Sequence, residues 1–225
     1  MKKILLLSLA IAGLLALPRI SDATIVGSKH DFSTNSWNLR QSVCGVCHSA
    51  HHTDPDQLIP LWNHANTTQT YTLYDSPTFD GSTTITQPGG ASKACLSCHD
   101  GTIAVNQSAS GWVTGSISGG VTNAQYVIAS RQIGNDGSLH TTHPISFEYD
   151  AVAAADNLIY PSSTTLTYGV GNLAGKTIND LLIGGKMECS SCHDVHKQKG
   201  HAPNDIFMRV ISNTQSHLCL SCHNK

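Results

Sequence analysis

Charge and bulk are both scarce in this chain of 225 residues: charged residues make up 12% and aromatic residues 6%. No basic block is present, which excludes the electrostatic footprint of a nucleic-acid or anionic-membrane binder. Beyond residue 23 no apolar run approaches the roughly 20 residues a membrane-spanning helix needs. Methionine is nearly absent, with only Met187 and Met208 after the initiator. Gly, Ser, Thr and Asn take the place of large side chains. A conventional core is therefore hard to fill, and the interior is expected to be filled by something other than side chains.

The first 23 residues differ from the rest. Lys2 and Lys3 precede an apolar run from Ile4 to Leu17, followed by Pro18 and Ser21-Asp22-Ala23. That order reads as a secretory signal peptide cleaved after Ala23, too short for a membrane anchor. Residues 24–225 then form one exported domain. They keep ten basic and fourteen acidic residues, a net charge near −4.

All eight cysteines fall in four copies of one pattern: Cys44-x-x-Cys47-His48, Cys95-x-x-Cys98-His99, Cys189-x-x-Cys192-His193 and Cys219-x-x-Cys222-His223. This is the attachment signature of c-type haem. On one helical turn the two thiols share a face and can form thioethers to one porphyrin edge, while the histidine turns onto the iron. Disulfides or zinc knuckles leave the histidine after every second cysteine unexplained. The expected cofactors are four haem c groups, with irons held by His48, His99, His193 and His223.

Each iron takes a second axial ligand unless it is an open catalytic site. Two methionines cannot serve four haems, whereas nine histidines lie outside the motifs. His51 and His196 each follow a proximal histidine by three residues. Neither can reach round its own porphyrin, so each is expected to bind a different haem and hold two irons on the order of 10 Å apart. His143 precedes Pro144, which biases it to an extended loop suited to a distal ligand. His30 is the one spare histidine before the first motif, with His64 its main competitor. His52 points elsewhere, and His140, His201 and His217 rank lower. The ligand set is thus His30, His51, His143 and His196.

The motifs form two pairs, 44–99 and 189–223, each opening with an extended C-x-x-C-H-x-x-H. Between them, residues 101–180 suggest a few short strands, with a longer helix near 177–183. The predicted fold class is a multihaem cytochrome c: mostly loop, with short helical turns and few short strands, wrapped around four c-type haems. Buried porphyrins are expected to act as its core. Asn66 and Asn106 match glycosylation sequons, a pattern frequent by chance in Ser/Thr-rich loops.

Gly-Ser-Lys-His-Asp at 27–31, the motif at 44–51, Leu-Trp-Asn-His at 61–64, Cys-Leu-Ser-Cys-His-Asp-Gly at 95–101, His-Pro at 143–144 and the closing pair carry a family likeness. The chain resembles the extracellular tetrahaem nanowire cytochromes of metal-reducing bacteria, of the outer-membrane cytochrome E type. The resemblance implies haems stacked in a continuous row, an extracellular location, and subunits polymerised head to tail. It also implies one histidine crossing between subunits, His30 or His51 here. Other cytochromes or extracellular electron acceptors would be its partners. Filled axial positions point to electron transfer rather than enzymatic catalysis. The alternatives are a discrete periplasmic shuttle, and a reductase with one open haem. The weakly charged sequence fits self-assembly better than a shuttle.

Overall fold

The computed structural model describes residues 25–51, 59–107, 123–196, 207–209 and 216–225. The expected signal peptide, His52 and His201 lie outside the described residues. Most of what is described is loop. Four short helices occur among these residues: α1 Gly90–His99, α2 Tyr149–Ala155, α3 Cys189–Cys192 and α4 His217–Cys222. Their one sheet pairs β1 Phe147–Glu148 antiparallel with β2 Lys186–Met187, Phe147 opposite Met187. No helix among the described residues is long and apolar enough to cross a membrane.

Three of the helices carry the second, third and fourth cysteine motifs. The first motif makes a single turn, with the amide N–H groups of Cys47 and His48 both donating to the Cys44 carbonyl. The residue just before the second cysteine is buried in all four motifs: Val46 at 1%, Ser97 at 0%, Ser191 at 1% and Ser221 at 5% exposed. This sets the orientation of each turn. Ser97 and Ser221 satisfy their hydroxyls on the carbonyls four residues back, Lys93 and His217. Ser191 accepts from the Glu188 amide at the start of α3. A small or hydrogen-bonded side chain here lets the turn press against the protein.

A tight turn positions the third motif. Gly184 and Gly185 have φ of +60° and +82°, and Ile183 and Lys186 exchange two backbone hydrogen bonds of 3.0 and 3.1 Å around them. Two consecutive positive φ angles are what a two-residue hairpin turn demands, and glycine adopts them without a Cβ clash. The hairpin delivers β2 to β1 and then leads into α3. There the Cys189 amide donates to Ser92 Oγ of α1 at 2.9 Å, tying the third motif to the second.

Two expectations need correction. The stretch 177–183 forms a 3-10 turn, Ile178–Leu181, closed by a reciprocal Thr177–Asp180 capping box, rather than a longer helix. Within 101–180, where a few short strands are expected, the described residues hold β1 and a 3-10 turn, Ala129–Arg131, and 108–122 lie outside the described residues. Side chains do build one core: Phe147, Tyr149, Val152, Leu166, Leu173, Ile178, Leu181, Leu182 and Met187 form one buried cluster. Tyr149 and Val152 of α2 supply one wall of it, and the Ala-rich α2 went unforeseen although Ala is the strongest helix former. Around the first two motifs the buried apolar clusters hold only three residues each: Trp37, Val46 and Val105, and Tyr71, Leu96 and Leu139. Of the two sequons, Asn106 is fully buried, and Asn66 accepts from the Trp62 indole N–H at 2.8 Å.

Ile178 is wholly buried and Ile183 is 42% exposed, five residues on. Ile178→Ala is expected to cost about 2–5 kcal/mol, by lost burial plus a cavity. Ile183→Ala is expected to stay within about 0.5 kcal/mol. Denaturant unfolding of the full chain measures both, and equal losses would contradict the placement of this core.

Candidate functional site

The third and fourth motifs end alike: the proximal histidine closes the helical turn and leaves it in extended geometry, with φ −111° at His193 and −95° at His223, whereas His99 is still the last residue of α1. A remote segment then grips the backbone of each proximal histidine. Isolated antiparallel bridges join His48 to Trp62, His193 to Met208 and His223 to Ile159. The His99 carbonyl accepts from the Ile133 amide at 2.7 Å. A short turn cannot fix a side chain by itself, because its own hydrogen bonds are too few. The bridge supplies the second anchor.

Ring nitrogens are fixed as well. His48 Nδ1 lies 2.9 Å from the Pro60 carbonyl and His99 Nδ1 lies 3.0 Å from the Arg131 carbonyl. A carbonyl only accepts, so Nδ1 carries the proton in both rings and Nε2 is the lone-pair nitrogen available to a metal. His143 Nδ1 does the same toward the Pro144 carbonyl at 2.9 Å.

Histidines far apart in sequence meet in pairs. The rings of His48 and His196 have centroids 6.0 Å apart at 23°. Those of His30 and His99 are 6.1 Å apart at 45°, and those of His143 and His223 are 6.4 Å apart at 79°. In every pair one member closes a cysteine motif and the other comes from outside it. His196, three residues after His193, thus meets the histidine of the first motif. The remaining member of the expected set, His51, is exposed, its backbone held by the buried Ser49 hydroxyl.

The competing histidines are otherwise engaged. His64 is fully buried, with Nδ1 2.8 Å from the Ala65 carbonyl and Nε2 2.9 Å from the Ala104 carbonyl, so neither nitrogen faces a histidine. His217 stacks on Tyr168 at 3.9 Å, and His140 lies 6.3 Å from Tyr74.

Burial favours the neutral form, the state that binds a metal, in three of the paired rings. Burial, then the nearby His99, lowers His30 to about 4. Burial is also the main cause that lowers His48 and His223. His196 is raised, chiefly by the Asp194 carboxylate, which lies 3.7 Å from Nδ1.

Thiols from successive motifs sense one another. Burial pushes Cys47 up to about 12, with Cys98 and Cys44 adding to it. A hydrogen bond between Cys95 and Cys189 raises the first and lowers the second. Burial pushes Cys192 up to about 11, with Cys222, Cys189 and Cys219 adding. The thiols therefore neighbour one another in the order of the motifs, first to fourth, and the Cys95–Cys189 contact joins the two sequence pairs.

No protein-family model matches the chain, and no curated protein matches it.

The haem expected from the motifs can be tested on these distances. An iron bound head-on by two imidazoles sets their ring centres about 6.3 Å apart, from two metal–nitrogen bonds of about 2 Å and two ring radii. The three observed spacings fit that gap. Among the described residues no group of three or more His, Cys, Asp and Glu converges on one point. A porphyrin iron asks only two ligands of the protein, because the macrocycle supplies the other four.

His196→Ala in the haem-loaded chain is expected to turn one low-spin haem high-spin in its electron paramagnetic resonance spectrum. His140→Ala should leave all of them low-spin. A low-spin spectrum unchanged by His196→Ala would rule out the His48–His196 pairing.

Proposed function

We propose that the protein carries electrons through four covalently bound c-type haems with two histidine ligands each. The observation that carries this reading is the meeting of His48 with His196, His30 with His99, and His143 with His223 at the spacing an iron requires. Cys44 and Cys47, Cys95 and Cys98, Cys189 and Cys192, and Cys219 and Cys222 would hold the porphyrins. Haem supplies one-electron chemistry at iron, and imidazole ligation places its potential below that of a His/Met haem. The chain's own residues bind, space and shield. With two histidines on each iron, no site would be left for a substrate, and the protein would act as a conductor rather than an enzyme.

The same reading extends to assembly. His51 is exposed and follows His48 by three residues, which makes it the ligand available to a haem in another copy. Leu61, whose carbonyl accepts from the amide of Ser49 two residues before His51 at 2.9 Å, is 49% exposed. An apolar side chain next to an exposed metal ligand suits a subunit contact. A head-to-tail contact that does not close makes a filament, and a haem row running through it is a wire outside the cell.

Intact-mass measurement of the exported chain is expected to show four haems per chain. Electron microscopy of the extracellular fraction should show filaments. A chain without haem would overturn the cofactor reading, whereas four haems in dispersed monomers would leave a discrete electron carrier.

A further inference from the structure

Asp100 follows the second motif directly and is 1% exposed. It caps the C-terminal end of α1, where the helix dipole is negative and a carboxylate is disfavoured. A local rule broken at a buried position asks for a compensating role. The surroundings are built to accept this one group. Asp100 Oδ2 takes hydrogen bonds from Thr67 Oγ1 at 2.5 Å and from the Tyr71 hydroxyl at 2.7 Å. Oδ1 takes the Thr102 amide at 2.8 Å and Thr102 Oγ1 at 2.7 Å. Two donors on each oxygen suit an ionised carboxylate, which only accepts. None of the ion pairs among the described residues involves Asp100. The other residues that follow a proximal histidine differ. Ser49 and Asn224 carry no charge, and Asp194 faces the His196 ring.

Resting on the haem reading above, we infer that Asp100 is a fixed internal anion that lowers the reduction potential of the haem held by Cys95, Cys98 and His99. Ferric haem carries one more positive charge than ferrous haem. A nearby buried anion therefore favours the ferric state, and does so more strongly inside the protein than in water. The step it biases is the gain of one electron by the iron, with no proton transferred. Asp100 follows His99 directly and lies two residues from Cys98, which places its buried carboxylate beside the residues that would hold this haem. Asp100 touches no iron ligand position itself. It is a tuning residue that acts through space, held in place by Thr67, Tyr71 and Thr102.

The test is potentiometric titration of the full haem-loaded chain, with individual haems followed by magnetic resonance. Asp100→Asn should raise one of the four potentials. Tyr71→Phe should lower that same potential, because one donor fewer leaves more of the charge unscreened. A merely structural role would not give opposite signs in the two variants. If Asp100→Asn fails to accumulate, Tyr71→Phe decides alone, and an unchanged or raised potential overturns the inference. Four haems with potentials unmoved by Asp100→Asn also overturn it. A chain lacking haem would instead overturn the reading on which it rests.

Discussion

The spacing of facing imidazoles is the constraint on which the rest of this structure depends. A motif turn of four or five residues cannot fix a side chain alone, and loops make up most of the chain. Ring centres nevertheless lie 6.0 to 6.4 Å apart across sequence gaps as long as that from His48 to His196. Two anchors achieve this for each proximal histidine: the helical turn on one side and a single backbone contact to a distant segment on the other. The long loops follow from that requirement, since each must bring one bridge partner and one histidine back to a motif. In the proposed reading each pair of rings would hold one iron, and metal binding would be part of folding.

The uneven core has the same origin. Residues 147–187 fold around nine buried apolar side chains and hold the third and fourth motifs against them. The first two motifs have little apolar packing of their own. Four porphyrins would add large flat apolar faces where side chains are few, which is why low aromatic content is compatible with a compact chain. Buried carboxylates such as Asp100 matter more in such an interior, because few other charges compete with them.

The sequence pointed to the paired histidines better than to the fold. The four motifs and the surplus of histidines are local patterns, and His30, His143 and His196 each stand beside a motif histidine. The offset of three residues already required His196 to serve a different haem, a deduction from porphyrin geometry alone. The partner was not legible, because nothing local distinguishes His48 from His99 as its target. His64 looked like a competitor until both its nitrogens were seen against carbonyls, a matter of tertiary contact. The core of 147–187 was missed because its apolar residues are scattered among glycines and serines without a helical or strand period. The buried residue inside each C-x-x-C was missed for the opposite reason: Val46 differs from Ser97, Ser191 and Ser221, so the shared position is visible only in three dimensions.

An experimental structure of the haem-loaded chain tests the central claim most directly. The account predicts one iron between His48 and His196, one between His30 and His99, and one between His143 and His223. An iron at His48 whose second ligand is any other residue would contradict it.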